Sequence, residues 1–240
     1  MSRRFGIRLS GCEGPLEDLI KQHVATCYTN PDYTLIEIGS AGCTTLRAFR
    51  DIMVEARGIK SWRAVGFDLP PDKAWSLNMD EINQAFDGKP CIIDHREIET
   101  LNTITNSMVL ILLDDPRAYI RDTFLYRADF VFIDASHGKS CGYDFLAVEN
   151  KVAPGGLVVF HDYGELEQGT DWQAEDREFI SVRSYVHRLG LASPCPEPRK
   201  GWRFIGEIKG SRHWGGDGNS CAVVQRTNDP LEVQPKLSLN

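Results

Sequence analysis

Four residues near the middle of the chain, Asp134, His137, His161 and Asp162, are of the types that bind divalent cations or move protons. They follow two short apolar runs, Phe130–Ile133 (FVFI) and Leu157–Phe160 (LVVF). Continuous Val, Ile and Phe runs of this length read as strands covered on both faces of a parallel sheet. In an open α/β sheet the carboxyl ends of the strands line the ligand crevice, so all four residues are expected at one rim. Carboxylate and imidazole ligands from neighbouring strand ends can hold a divalent cation, which would acidify a bound hydroxyl. A histidine beside a carboxylate can equally act as a general base near neutral pH. Residue types alone leave both chemistries open, together with plain hydrogen bonding between strand ends.

A second group suits a nucleotide-like ligand. Glu37-Ile38-Gly39-Ser40-Ala41-Gly42-Cys43-Thr44-Thr45 runs from an apolar strand into a helix. Glycines there permit a sharp turn and a close approach of ligand to backbone. The helix start offers free N–H groups and a positive dipole end. Two glycines also serve purely structural turns, so the motif is weak alone. Asp68 closes the next strand and could accept hydrogen bonds from both hydroxyls of a ribose; an ordinary solvated Asp before Pro70-Pro71 would look the same. Asp115, in Asp114-Asp115-Pro116, could receive an adenine amine or cap the helix that begins at Pro116.

These residues must be carried by alternating elements. The pattern predicts helices over 14–29, 44–58, 77–86, 117–125, 142–151 and 175–189, and buried strands over 34–38, 62–67, 108–113, 130–133 and 157–160. A Pro154-Gly155-Gly156 turn precedes the last of these strands. Two further strands, 202–208 and 220–225, form a hairpin around a Gly-rich loop. The apolar piece Cys91-Ile92-Ile93 has no assigned place. The order predicts a three-layer, doubly wound α/β domain with an antiparallel hairpin at one sheet edge. Residues 1–32 read as an N-terminal helical segment, 33–227 as the main domain and 228–240 as a polar tail.

Composition narrows the function classes. A length of 240 residues with 42% hydrophobic content fits one large α/β domain. The net charge of −7 provides no broad basic field, which argues against tight binding to long DNA or RNA. Arg199-Lys200, Arg203, Lys209 and Arg212-His213 leave room for a local patch. The seven cysteines include no C-x-x-C pair, which argues against a disulfide framework or a structural zinc and favours a reduced, cytoplasmic setting. The first residues lack the apolar core of a signal peptide. The longest uncharged apolar run, Met108–Leu113, is far too short to span a bilayer, so no membrane partner is expected. A homo-oligomer is left open.

Glu37-Ile38-Gly39-x-x-Gly42, Asp68 and above all FIDASHGKSCGYDF…VAPGGLVVFHDY resemble the class I S-adenosylmethionine-dependent methyltransferases, from Tyr33 to Arg226. They are most like the branch with a FIDG-x-H-x-Y … L-x-PGG … HDY signature, which includes macrocin-type sugar O-methyltransferases and relatives of cephalosporin hydroxylase. The resemblance implies a Rossmann-like seven-stranded sheet, mostly parallel, with its last strand antiparallel and helices on both faces. It implies S-adenosylmethionine as cofactor, with Glu37, Gly39, Ser40 and Gly42 around the methionine part, Asp68 on the ribose, Asp115 near adenine and Asp134 at the cofactor's edge. Asp134, His161 and Asp162 match positions that hold magnesium in metal-dependent members. His137 or His161 would be the base, beside Asp134. The implied reaction is O-methylation of a small-molecule hydroxyl. Competing readings are a metal-dependent hydroxylase or hydrolase on the same fold, an RNA cap or terminus methyltransferase, and a non-catalytic cofactor-binding subunit. The sequence departs from the family at Ala41 (the middle glycine), at Ala135-Ser136, at Cys141-Gly142-Tyr143, and in a long insertion between the second and third strands.

Overall fold

The apolar runs become strands of one eight-stranded sheet. The protein is described here by a computed structural model over residues 13–26, 32–56, 59–73, 77, 79–87, 92–94, 105–135, 139–163, 182–192, 195, 197–209 and 220–228. In chain order the elements are α1 (Glu13–Thr26), β1 (Asp32–Ile38), α2 (Thr44–Glu55), β2 (Ser61–Asp68), α3 (Met79–Ala85), β3 (Ile92–Asp94), β4 (Ser107–Leu112), α4 (Pro116–Asp122), β5 (Ala128–Ile133), α5 (Lys139–Val148), β6 (Val152–Phe160), α6 (Val182–Arg188), β7 (Trp202–Ile208) and β8 (Cys221–Arg226). The parts of the expected elements at 175–181 and 210–219, and the tail from 229, lie outside the described residues.

The strand order is β3-β4-β2-β1-β5-β6-β8-β7. β1 to β6 pair parallel, and β8 is antiparallel to both β6 and β7. All seven expected strands are present. The eighth, β3, is the unplaced Ile92-Ile93 piece, pairing parallel with β4 at the edge. The chain winds outward from β1 through β2 and β4, then returns to place β5 on the other side of β1. This reversal makes the carboxyl ends of β1 and β5 the topological switch point, where open α/β sheets bind ligands.

Strand alternation divides the core between the two faces. Ile36, Ile38, Phe67, Ile111, Val131 and Ile133 face the layer of α4, α5 and α6. Tyr33, Leu35, Ala64, Phe130 and Phe132 face α1 and α2. Phe49 of α2 meets Phe130 and Phe132 edge-on at 5.7 and 5.9 Å, and Phe145 of α5 meets Trp202 at 5.0 Å. α1 buries Leu16, Ile20 and Val24 on the sheet. Its His23 joins the Tyr33 hydroxyl (2.8 Å) to the Gly155 carbonyl (3.1 Å).

Two expectations change. Pro154-Gly155-Gly156 is not a turn before a strand but an irregularity inside β6. The register slips between Ala128↔Val152 and Phe130↔Leu157, and Gly155 takes φ +83°. Extra unpaired residues of this kind are where a strand accommodates Pro and Gly. Arg199, counted among the basic residues open to a nucleic acid, is buried. Its Nε and Nη2 donate to the two Glu149 oxygens at 2.5 and 2.6 Å, and Trp202 Nε1 donates to the same carboxylate at 3.1 Å. That guanidinium ties β7 to the end of α5 and is not a surface charge.

Candidate functional site

Register brings the site together. Ile38 pairs with Phe67 and with Ile133, and Ile133 with Phe160, so the residues that follow emerge side by side. The ladder continues for one step beyond the strands. Gly39 N donates to Phe67 O (2.8 Å), Asp134 N to Ile38 O (2.9 Å) and His161 N to Ile133 O (3.0 Å). Gly39, Asp68, Asp134 and His161 therefore share one rim, as the sequence predicts. His137 lies outside the described residues.

The glycine turn is held from three sides. Gly39 takes φ +89°, and a Cβ there would lie 2.2 Å from Ala135 Cα, so only glycine lets the β1 and β5 loops meet. A Cβ on Gly42 would strike the Glu81 side chain of α3, within 2.9 Å of its Cβ. Ser40 is buried with its hydroxyl against Gly66 of β2. α2 starts at Cys43, which supplies no side-chain cap. Glu37 is buried at the end of β1, close to the first turn of α2, where the Leu46 backbone favours its charged form. Burial, then the charges of Asp134 and Asp68, push the Glu37 carboxyl well above its ordinary pKa, against the pull of Ser40 and Leu46. Its second oxygen, Oε2, is buried with no hydrogen-bond partner among the described residues.

Asp68 sits beside this turn. Its carboxylate accepts from Ala41 N and from Leu69 N, both at 2.7 Å. Burial raises its pKa, and those backbone donors oppose the rise. The two N–H groups fix the carboxylate's orientation while leaving it further acceptor positions toward the crevice. Asp115 caps α4, accepting from Ala118 N at 3.0 Å, with Pro116 at the first helical position. The capping alternative is thus realised, on the same rim where the adenine end is expected.

Asp134, His161 and Asp162 close the other side. His161 Nδ1 is 2.9 Å from Asp134 Oδ1 and 3.2 Å from Asp162 Oδ2. Neither contact has the alignment of a hydrogen bond. One ligand atom from each residue lies within 4.8 Å of the other two. Burial depresses the imidazole pKa, but the two carboxylates outweigh it and raise it well above the ordinary value. Two carboxylate oxygens and one imidazole nitrogen grouped about a common space fit a divalent cation.

A family model described as "Methyltransferase domain" matches residues 36–163, from the middle of β1 to just past the His161-Asp162 rim. The chain belongs to this methyltransferase family. Its mostly parallel sheet, closed by the antiparallel β8, is the Rossmann-like fold of the class I methyltransferases. Its fold is shared by solved structures of low identity. The O-methyltransferase TomG from Streptomyces achromogenes, in complex with SAM, is 14% identical with a TM-score of 0.53, over 89% of this chain and 80% of that one. The O-methyltransferase from Bacillus cereus, in complex with SAH, is 16% identical with a TM-score of 0.54, over 88% of this chain and 81% of that one. The search of curated proteins found no match. Among the described residues, no helix of the methyltransferase is long and apolar enough to cross a membrane.

The glycine turn departs from the family pattern in sequence but not in backbone shape. Ala41, at the missing middle glycine, keeps a left-handed backbone with φ +42°, and Cys43 does the same at +57°. The turn retains its shape and carries the strain that glycine would avoid. Ala41→Gly is therefore expected to stabilise the methyltransferase by about 1 kcal/mol, a rise of roughly 2–4 °C in Tm. A thermal scan showing no rise would mean the turn is unstrained. The packing of Glu81 against Gly42 gave no local signal, because it depends on a partner distant in sequence.

Proposed function

We propose that this methyltransferase O-methylates a small-molecule hydroxyl, with S-adenosylmethionine over the Gly39–Gly42 turn and a divalent cation, such as magnesium, at Asp134, His161 and Asp162. The observation that carries the reading is the shared rim: the glycine turn, Asp68 and the three-ligand cluster open onto one switch point. Glu37 Oε2, without a hydrogen-bond partner among the described residues, suits a cationic group such as a methionine amine, and the relatives solved with SAM and SAH share this fold. The FID…HDY signature supports placement in the macrocin-type branch.

When bound, the cofactor supplies a methyl on a sulfonium, which leaves as a thioether when the acceptor oxygen takes the methyl. A bound cation would hold that oxygen and lower the pKa of its hydroxyl. The chain's own groups supply orientation. Asp68, fixed by the Ala41 and Leu69 N–H groups, would accept both ribose hydroxyls. The carboxylates of Asp134 and Asp162 would set the acceptor's distance from the turn, and alignment of this kind accounts for much of the acceleration in a displacement. If the rim works without a cation, His161, held between Asp134 and Asp162, would take the acceptor's proton only in its deprotonated form, which the raised pKa makes the minor one near neutral pH.

Calorimetric titration with S-adenosylmethionine and S-adenosylhomocysteine, with and without Mg2+ or Mn2+, tests the reading. Micromolar binding is expected, as is a heat of cation binding that Asp162→Asn removes. Absence of cofactor binding under all conditions would overturn it. Asp68→Ala should weaken cofactor affinity about a hundredfold, the loss of two hydrogen bonds to a charged group. Unchanged affinity would remove Asp68 from the ribose site.

A further inference from the structure

Asp162, a ligand of the proposed cation site, is held in a left-handed backbone conformation, and the residues that hold it lie beyond the stretch that matches the family. Asp162 takes φ +55°, a left-handed geometry that Asp adopts more readily than most residues but still less readily than an ordinary helical or extended one. Such a residue persists only where its surroundings over-determine it. Here the constraint falls on the next residue. Tyr163 N donates to Ser220 O at 2.8 Å, just before β8. Tyr163 O accepts from Arg183 Nε at 3.3 Å. The Arg183 guanidinium also lies 4.6 Å from the centre of the Tyr163 ring, which packs against Phe204 and has His187 Nε2 at 3.4 Å from its hydroxyl. Arg183 is in turn fixed by Glu207 of β7, whose two carboxylate oxygens are each 3.2 Å from Nη2.

We propose that Arg183, braced by Glu207, is a positioning residue for Asp162 and sets the affinity of the rim for a divalent cation. The proposal rests on the reading of Asp134, His161 and Asp162 as a cation site. A half-exposed ion pair contributes little to stability in itself. Its consequence lies in where it pulls: on the carbonyl one residue beyond a ligand, from α6 and β7. With that carbonyl released, Asp162 can relax toward an ordinary φ, and its carboxylate leaves the 3.2 Å approach to His161. Partners one step removed from a metal's ligands typically change affinity 10–100-fold.

Mn2+ titration followed by electron paramagnetic resonance tests this on the full chain. Arg183→Gln should weaken Mn2+ binding at least tenfold, Glu207→Gln less, and Arg183→Lys should restore part of the loss. S-adenosylmethionine affinity, measured in parallel by calorimetry, should stay within about twofold, because the Gly39–Asp68 side of the rim is untouched. Wild-type Mn2+ affinity in Arg183→Gln would overturn the proposal and leave the cation site standing. Parallel losses of Mn2+ affinity, cofactor affinity and Tm in both Arg183 variants would overturn it in favour of general loosening. Failure of the wild-type protein to bind Mn2+ would overturn the cation reading and this proposal together.

Discussion

Asp134→Asn should abolish cation binding and lower methyl transfer about a thousandfold, between the usual contributions of a lost general base and a lost metal. The size follows from the number of jobs the carboxylate does. It stands 2.9 Å from His161 Nδ1, supplies one of three grouped ligand atoms, and is the largest charged influence on the buried Glu37. The amide keeps the shape but removes the charge that draws a cation to the rim and holds the imidazole's proton. The fold should survive, because the backbone N–H of residue 134 still donates to Ile38 O. Two measurements separate the effects. In the wild type, a saturating divalent cation should raise Tm, by the roughly 2.7 kcal/mol that a ligand at a hundred times its Kd contributes. In Asp134→Asn that rise should vanish while cofactor affinity stays within a few-fold. A variant that keeps both its cation-induced rise and its activity would show that the rim does not use Asp134.

The rim was legible in the sequence for a definite reason. Strands covered on both faces are mostly apolar runs, interrupted here only by single residues such as Glu37 and Arg63, and in this chain each run stops at an ionisable residue or a glycine. Asp68, Asp134 and His161 could therefore be placed before any pairing was known, and parallel register then set them side by side. The same logic failed for β3, whose three residues are too few to show a period. It failed for β6 too, where Pro154-Gly155-Gly156 mimics a turn but is absorbed as unpaired residues within the strand. Roles that depend on distant partners left no local trace. Arg183 reaches back twenty positions to Tyr163, and Arg199 neutralises Glu149 fifty positions away. Patterns report which face of an element is apolar; they do not report which polar groups meet across the fold.

Gly39→Ala is expected to be the most damaging small substitution at the site, and Gly155→Ala provides its control. Both glycines have left-handed φ, +89° and +83°, so alanine carries a similar backbone penalty of about 1–2 kcal/mol at each. Their surroundings differ. A Cβ on Gly155 meets nothing within 4 Å, whereas one on Gly39 would lie 2.2 Å from Ala135 Cα, 2.4 Å from Ala135 N and 2.7 Å from the Asp134 carbonyl carbon. These are backbone atoms, so no rotamer change can relieve the overlap. The β1 and β5 loops must part, at a further cost of about 1–3 kcal/mol for overpacking. Gly39→Ala should then lose about 3 kcal/mol in all, a fall of roughly 6–12 °C in Tm, against roughly 2–8 °C for Gly155→Ala. The parting also carries Asp134 away from Ile38 and His161, so cofactor and cation affinities should fall in Gly39→Ala and persist in Gly155→Ala. Equal effects from the two substitutions would show that backbone conformation alone, and not the meeting of the two loops, makes glycine necessary at position 39.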